Sequence, residues 1–287
     1  MNLFLRVSRR RSDGFHELET LFQAIDYCDD VLIELNDLEQ ISLEVTGMEV
    51  GPVKENLAYR AASAYREAAG LHEGIHVSLT KHIPAGAGLG GGSSDAAAVL
   101  RGLDYLTEGL LDSDSLSKIA SKIGSDVPFF LSDSTTAIAR GRGEILEPIQ
   151  VLPGHTLLLV LPPVHVSTRD AYEMLGRSSD DYEHHTSLGL VRARGGWDTV
   201  ISSAHNDFEV TIADLYPEVR CSLRALRQKG YPLVLLSGSG GACFAITRNG
   251  GDVESDAHEL TEELGWPCLV TQTLESYQQV TPMSAKP

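Results

Sequence analysis

The chain has 287 residues, of which 42% are hydrophobic, which fits a globular protein with one large domain or two ordinary ones. A net charge of −17 and a pI near 4.9 argue against bulk binding to nucleic acid or to an anionic membrane surface. The sequence shows neither a long apolar run nor the residue order of a signal peptide, and its four cysteines form no C-x-x-C pair. We therefore expect a cytoplasmic protein without a membrane or nucleic-acid partner.

The first predicted elements form a hairpin. Residues 3–7 have the composition of a strand, Asp13-Gly14 is a strong turn signal, and residues 18–25 return as a second strand. Phe15 and His16, beside the turn, would suit a planar ring, one by stacking and the other by hydrogen bonding. An ordinary hairpin with solvated arginines is the alternative.

The following segments predict strands before helices. Residues 31–35 and 41–45 alternate like strands, Glu55-Asn56 begins a helix that Gly70 ends, and residues 75–81 form another strand. This order indicates an α+β domain rather than a doubly wound sheet.

A glycine-rich stretch connects that strand to a helix predicted over residues 94–106. Five of the seven residues from Gly86 to Gly92 are glycine, and Ser93, Ser94 and Asp95 are all types that cap helices. Glycine lets a ligand approach the main chain, and a helix start presents unpaired N–H groups. The stretch therefore predicts an anion site, most often for phosphate, whereas a flexible turn needs only one or two glycines.

The residues around the glycines disfavour two types of phosphate loop and favour a third. Gly86, Gly88 and Gly91 satisfy G-x-G-x-x-G, but so glycine-rich a stretch matches it easily, and Asp104 lies in a helical pattern rather than at a strand end. No lysine follows the glycines, as a Walker loop requires. A loop in which backbone amides and serines hold a triphosphate fits better.

Residues 113–123 predict a helix capped by Ser113 or Asp114, and Gly124 ends it. Asp126 then precedes an apolar segment, where it is either functional or a capping or turn residue. Residues 136–140 and 143–146 predict a hairpin, and residues 148–153 are the predicted domain boundary.

The second half predicts a β-α-α-β-β-α-β order. Ser167 or Thr168 caps a helix that carries Tyr172, residues 177–197 form a loop, and a second glycine-serine loop spans residues 237–242. The other predicted elements are strands 155–161, 233–236, 243–246 and 269–273 and helices 217–229 and 252–264. His184-His185 has no second ligand pair at metal spacing, so we predict no metal site at this pair.

Three motifs, in this order, resemble the signature stretches of the GHMP small-molecule kinases. They are P-A-G-A-G-L-G-G-G-S-S-D-A-A from Pro84, G-S-D-V-P-F-F from Gly124 and S-G-S-G-G-A from Ser237. The D-G-F-H block, the N-L-F-L start and Asn206-Asp207-Phe208-Glu209 are similar to the branch that phosphorylates cytidine-diphosphate-linked methylerythritol on the route to isoprenoids. This resemblance spans nearly the whole chain.

The resemblance implies an α+β fold of two domains, residues 1–150 and 151–287, with the active site in the cleft between them. It implies transfer of the ATP γ-phosphate to the 2-hydroxyl of the substrate, with Mg²⁺, and Asp126 as the catalytic residue. His16 would hydrogen-bond the cytosine edge, and Phe15 and Tyr172 would sandwich the ring. The oligomeric state we expect is a monomer or weak homodimer.

The implied site residues fall into two groups. Those for ATP are Asn56, Lys81, Pro84, Gly86, Gly88, Leu89, Gly90, Gly91, Gly92, Ser93 and Ser94. Those for the substrate are Asn2, Phe15, His16, Asp126, Thr168, Tyr172, Ser239 and Gly240.

The family pattern A-K-[IL]-N-L-F-L places a lysine one residue before Met1. Either the native chain starts upstream and carries that lysine, or the protein lacks it and is a ligand-binding member with impaired catalysis. We expect the sequence as given to bind both ligands and to turn over slowly. Another GHMP kinase activity is the alternative enzyme, although it gives no reason for the D-G-F-H block.

Overall fold

A computed structural model describes residues 1–176, 187–247 and 252–283. These residues form two compact units that are interleaved along the chain. The first unit comprises Met1–Cys28, His82–Gly91 and Ser134–Glu275, and the second comprises Asp29–Lys81, Gly92–Asp133 and Ser276–Pro287. This grouping differs from a single cut at residue 150, and the predicted division into residues 1–150 and 151–287 stays a prediction.

The predicted hairpin opens a five-stranded sheet in the first unit. Strand β1 (Asn2–Arg10) pairs antiparallel with β2 (His16–Gln23) across a turn in which Gly14 has a φ of 88°. The sheet has the order β7-β6-β2-β1-β9, and its other strands are β6 (Thr136–Gly141), β7 (Ile145–Pro148) and β9 (His205–Asn206). Strand β9 pairs with β1 in parallel.

A four-stranded antiparallel sheet with the order β10-β11-β8-β12 completes the strands of this unit. Its members are β8 (Thr156–Val160), β10 (Leu233–Leu236), β11 (Cys243–Ile246) and β12 (Cys268–Gln272). Because strand side chains alternate, β8 contributes Leu157 and Leu159 to one hydrophobic core and Leu158 and Val160 to another.

Six helices of the first unit lie within the described residues. Helix α5 (Thr168–Leu175) is capped by Ser167, whose side chain accepts from the Asp170 amide. The others are α6 (Ser187–Arg194), α7 (Trp197–Ser203), α8 (Glu209–Leu215), α9 (Pro217–Gln228) and α10 (Val253–Leu264).

The second unit packs helices on a three-stranded sheet. The sheet has the order β3-β5-β4, from β3 (Asp30–Asn36), β4 (Ile41–Gly47) and β5 (Gly74–Lys81). Its helices are α1 (Leu57–Ala69), α2 (Gly91–Leu106), α3 (Ser113–Ile123) and α4 (Val127–Leu131), and a short 3₁₀ turn spans Val53–Glu55. Alternate residues of β5, namely Ile75, Val77 and Leu79, pack in one core with α1 and α2.

Most predicted elements are present, and the α+β class is confirmed. The β-α-α-β-β-α-β order predicted for the second half lacks α7, β9 and α8, and three further details of the prediction are wrong. Helix α2 begins at Gly91 rather than at residue 94, so Ser93 and Ser94 lie inside its first turn. Asp112, not Ser113 or Asp114, caps α3. The loop predicted over residues 177–197 contains helix α6, while His184-His185 falls outside the described residues.

None of the helices in the described ranges combines the length and the apolar character that a membrane span requires.

Candidate active site

The first glycine loop has the backbone that its sequence predicts. Gly86, Gly88 and Gly90 have φ angles of 75°, 78° and 74°, which residues with a side chain rarely adopt. The next residue, Gly91, begins α2, a helix of 16 residues. The chain therefore enters a long helix directly from a loop of left-handed glycines, which is the local geometry of a phosphate site.

The second glycine loop, residues 237–242, lies against the first within the same unit. The amides of Gly241 and Ala242 donate to the carbonyls of Gly86 and Ala87 at 3.0 and 2.9 Å. A Cβ on Gly240 would lie 2.0 Å from the amide nitrogen of Gly88, so only glycine fits there. The structure thus brings the two predicted loops together and gives Gly240 a packing role.

The Asn206 side chain holds the second loop in place. Its amide nitrogen donates at 2.8 Å to the carbonyls of both Leu236 and Gly238, and its oxygen accepts from the Phe208 amide. Asn206 was not among the predicted site residues. A signal was present in the Asn206-Asp207-Phe208-Glu209 block, but the loop that this residue holds is distant in sequence.

The Asp207 side chain bridges the same region to the hairpin. One carboxylate oxygen accepts from the Val7 amide at 2.8 Å, and the other contacts His205 Nε2 at 2.6 Å. Asn2, at the start of β1, donates to Thr20 Oγ1 at 2.8 Å and is buried. The contact of Asn2 with substrate stays a prediction.

Two of the predicted substrate residues meet at the second loop. The hydroxyls of Ser239 and Thr168 lie 3.3 Å apart, with Thr168 at the start of α5. Both hydroxyls are exposed, and they can donate to or accept from a polar ligand.

The predicted base-binding rings are paired in an unexpected way. The His16 and Tyr172 rings stack with centroids 5.2 Å apart, and Tyr172 also meets Phe208 edge-on at 4.9 Å. The Phe15 ring is 51% exposed and lies under the guanidinium of Arg142, whose Cζ is 4.7 Å from the ring centroid. Arg142 was not among the residues predicted to bind the base.

The Lys81 ammonium, at the end of β5, is committed to two carboxylates. It donates to Asp95 Oδ2 at 2.8 Å and to Asp29 Oδ2, and each of the three side chains is at most 4% exposed. Burial raises the pKa of the Asp95 carboxyl to about 7, against the opposing effect of the Lys81 charge. The predicted contact of Lys81 with the nucleotide stays a prediction.

Asn56 lines a cavity of about 480 Å³ in the second unit. Its side chain also caps α1 by accepting from the Ala58 amide at 2.9 Å. The remaining lining is mostly apolar and consists of Leu43, Val45, Gly47, Met48, Glu49, Val50, Gly51 and Val53. This cavity was not predicted from the sequence, although apolar residues between a predicted strand and a predicted helix were a signal.

Asp126 lies at the start of the short helix α4. Its backbone is helical, its side chain makes no capping bond to that helix, and burial raises the pKa of its carboxyl. A Cβ on Gly124, two residues earlier, would lie 3.8 Å from Ser93 Oγ in the first turn of α2. The segment that carries Asp126 therefore runs beside the start of α2.

Within the described residues, no group of three or more His, Cys, Asp or Glu side chains is arranged to hold a metal ion. Oxygen donors are nevertheless present at the start of α2, in the hydroxyls of Ser93 and Ser94. Mg²⁺ prefers such oxygen ligands and usually binds through substrate phosphates as well. The donor set therefore fits a Mg²⁺ ion that arrives with a nucleotide.

Comparison with known proteins gives matches over most of the chain. Residues 56–134 match the model of the GHMP kinases N terminal domain, and residues 192–265 match that of the GHMP kinases C terminal. The 4-diphosphocytidyl-2-C-methyl-D-erythritol kinase of Prosthecochloris aestuarii is 37% identical, with 91% of each chain covered. The enzyme of the same name from Pelobacter propionicus is 37% identical, with 96% of each chain covered.

Solved structures give the same result at the level of the fold. The crystal structure of a 4-(cytidine 5'-diphospho)-2C-methyl-D-erythritol kinase matches with a TM-score of 0.74 and 37% identity, covering 95% of this chain and 96% of that one. A homoserine kinase from Cytophaga hutchinsonii matches with a TM-score of 0.71 at 18% identity, over 96% and 95% of the two chains. The second likeness supports the fold alone.

Proposed function

Because the chain belongs to the 4-diphosphocytidyl-2-C-methyl-D-erythritol kinase family, we propose that it transfers the γ-phosphate of ATP to the 2-hydroxyl of 4-diphosphocytidyl-2-C-methyl-D-erythritol. The observation that carries this proposal is the left-handed glycine loop that opens α2 in a chain whose D-G-F-H hairpin presents Phe15 and His16. The reaction belongs to the methylerythritol phosphate route to isoprenoid precursors.

The triphosphate binds at the glycine loop and the first turn of α2. Backbone amides from Gly86 to Gly92 donate to phosphate oxygens, and the positive end of the α2 dipole favours their charge. The hydroxyls of Ser93 and Ser94 add donors and would supply oxygen ligands for Mg²⁺. When bound, the ion neutralises phosphate charge.

The cavity beside Asn56 is the proposed adenine site. Its volume of about 480 Å³ lies within the range of small-molecule sites, and its apolar lining suits a planar ring. Asn56 and Glu49 are the polar residues among those that line it. Asn56 thus serves both as the cap of α1 and as part of the nucleotide site.

The D-G-F-H hairpin recognises the cytosine base. His16 hydrogen-bonds the edge of the base, and aromatic faces from Phe15 and Tyr172 stack on it. His16 and Tyr172 stack on each other in the structure, so this arrangement requires a base to displace one ring from the other. Thr168 and Ser239 lie on the same unit and bind the remaining polar part of the substrate.

Asp126 accepts a hydrogen bond from the reacting hydroxyl and orients its oxygen toward the γ-phosphorus. An ordinary aspartate is a weak base, but burial raises the pKa of this carboxyl and so makes it a better proton acceptor. Phosphoryl transfer depends mainly on positioning and charge stabilisation, so the proton moves late, as the hydroxyl becomes more acidic.

The experiment is a direct assay with the full chain, ATP, Mg²⁺ and the cytidine-diphosphate-linked substrate. We expect a new phosphomonoester signal in ³¹P NMR that depends on the substrate, together with ADP. The Asp126→Asn variant is the matched control, and mevalonate and homoserine replace the substrate in parallel reactions. Faster phosphorylation of either alternative, or no phosphomonoester from the cytidine compound, would contradict the proposal.

We also propose that the enzyme works in the cytoplasm as a monomer or weak homodimer and has no nucleic-acid partner. The net charge of −17 supports the last point, because nucleic acid would repel so acidic a chain.

A further inference from the structure

Arg101, in the third turn of α2, makes an unusual set of contacts with the main chain of another segment. Its Nη2 donates to the carbonyls of Leu131 and Ser132 at 2.8 and 2.6 Å, and its Nε approaches the carbonyl of Phe130 at 3.4 Å. Asp133 adds a longer contact at 3.5 Å through an exposed carboxylate.

These carbonyls belong to the end of α4. The last carbonyls of a helix have no partner within it, and a cationic side chain can satisfy them and the negative end of the dipole. The planar fork of a guanidinium can bond several such oxygens at once, which a lysine ammonium cannot do with the same geometry. Arg101 is therefore an external C-cap for α4, supplied by α2.

Helix α4 connects this cap to Asp126. The helix spans only Val127–Leu131, so Asp126 lies less than two turns from the capped carbonyls. At the other end, Gly124 lies beside Ser93 in the first turn of α2. The Asp126 segment is thus hydrogen-bonded to α2 at Arg101 and passes close to the phosphate end of α2 at Gly124.

We propose that Arg101 is a positioning residue that sets the distance between the Asp126 carboxylate and the start of α2. The inference deepens the proposed function, since it rests on phosphate binding at α2 and on proton acceptance by Asp126. If the cap is lost, the carbonyl end of α4 loses its hydrogen bonds to α2 and can shift against it. Asp126 then moves relative to the bound γ-phosphate, and a displacement of about 1 Å can cost roughly 100-fold in rate.

The guanidinium of Arg101 also packs against the aromatic ring of Tyr277. The Cζ of Arg101 lies 5.6 Å from the ring centroid of Tyr277, in the segment that follows the last strand. The ring is partly buried and covers the cation. A Tyr277→Leu variant keeps much of the apolar cover and removes the cation–π contact, so its effect should be in the same direction as Arg101→Ala and smaller.

The test compares Arg101→Ala and Arg101→Lys with the wild type by steady-state kinetics and ATP binding. We expect kcat to fall about 10- to 100-fold in Arg101→Ala, while the KM values and the Kd for ATP change less than about threefold. Arg101→Lys should recover part of kcat, and added guanidinium ion should partly restore Arg101→Ala.

Arg66→Ala is the matched control, because Arg66 also donates to a main-chain carbonyl in the same unit, that of Glu39. It should leave kcat unchanged. A cap with a merely structural role would lower the melting temperature and leave kcat of the folded enzyme intact, and that result would overturn the proposal.

A second readout does not need kinase activity. The Asp126 carboxyl can be titrated by ¹³C NMR in aspartate-labelled protein, and its pKa should move toward the ordinary value in Arg101→Ala but not in Arg66→Ala. An unchanged pKa would count against the positioning role even if the wild type proved inactive. Absence of wild-type kinase activity, in contrast, would contradict only the proposed function.

Discussion

Two clusters in this chain each pair one cationic side chain with two acidic ones, but one cluster is buried and the other is exposed. Lys81 bonds Asp29 and Asp95 where the side chains are at most 4% exposed. Arg11 bonds Asp13 and Glu17 in the β1–β2 hairpin, where the side chains are 32 to 43% exposed.

The difference in depth changes what each cluster can do. Water can replace a lost partner at the hairpin, whereas a charge left alone in the buried cluster has no such substitute. The buried cluster joins the end of β5 to the second turn of α2, and so it fixes the element on which we place the triphosphate. The exposed cluster leaves the proposed base-binding hairpin free to adjust.

The largest effect should come from Lys81→Met. The substitution removes the cation that both buried carboxyl groups bond and leaves the two groups facing each other, which should cost about 3 to 5 kcal/mol of unfolding free energy. Urea denaturation at pH 7 measures this. Arg11→Met is the control at the exposed cluster and should leave the denaturation midpoint within error. If both variants lost the same free energy of unfolding, burial would not distinguish the two clusters, and the prediction would be wrong.

The buried cluster should also respond to pH. Asp95 has a pKa of about 7 in the folded protein and an ordinary value of 3.8, so the folded state holds its proton more tightly. Its contribution to stability is complete below about pH 4 and is lost as the pH rises through about 7.

The free energy of unfolding of the wild type, minus that of Asp95→Asn, should therefore fall by about 2 to 4 kcal/mol between pH 4 and pH 7.5. Denaturation of both proteins at several pH values measures this difference. A difference that rises with pH would show that the Lys81 charge dominates over burial at this carboxyl.

The sequence was sufficient for elements with local signals. Helix α1 was predicted to begin at Glu55-Asn56 and to end at Gly70, and in the structure Asn56 caps its start and Gly70 is its left-handed C-cap. Strands β10 and β11 were also placed at the correct residues, because short apolar runs flank the second glycine loop.

Elements without local signals were misplaced or missed. The start of α2 was placed too late because Gly91 and Gly92 are poor helix formers, and only their context makes them helical. Helix α4 was missed because it has five residues, and α6 because it carries little amphipathic pattern. The partners of Lys81 could not be predicted, since Asp29 is 52 residues away in sequence and no local rule links the two.

At the exposed hairpin, the stacking role of Phe15 predicts a moderate effect. Phe15→Leu keeps an apolar side chain without a ring face, and it should raise the KM for the cytidine substrate about 5- to 20-fold. Phe15→Tyr should stay within about twofold of the wild type, and the KM for ATP should not change in either variant.

Tyr105→Leu is the control for Phe15, because Tyr105 is 50% exposed and lies on α2. It should leave the KM for the cytidine substrate unchanged. A wild-type KM in Phe15→Leu would remove this ring from the base site and leave His16 and Tyr172 as its only proposed members.

The smallest effect should come from Arg142, whose guanidinium covers one face of the Phe15 ring. The Arg142 amide donates to the Glu144 carboxylate at 2.6 Å, which holds the turn in place. Arg142→Gln should raise the KM for the cytidine substrate about two- to fivefold, since an exposed cation–π contact contributes about 0.5 to 1 kcal/mol.

A double-mutant cycle separates this contact from a general loss of positive charge. If Arg142 acts by holding the ring, Arg142→Gln should have no effect in the Phe15→Leu background. Arg140→Gln, on the same hairpin but bonded to Glu19 and Glu147, removes the same charge without touching the ring. If Arg142→Gln has equal effects in both backgrounds, or if the two arginine variants behave alike, the positive charge of the β6–β7 hairpin binds the substrate. The substrate would then be held by long-range electrostatics rather than by an ordered stack of guanidinium, phenyl ring and base.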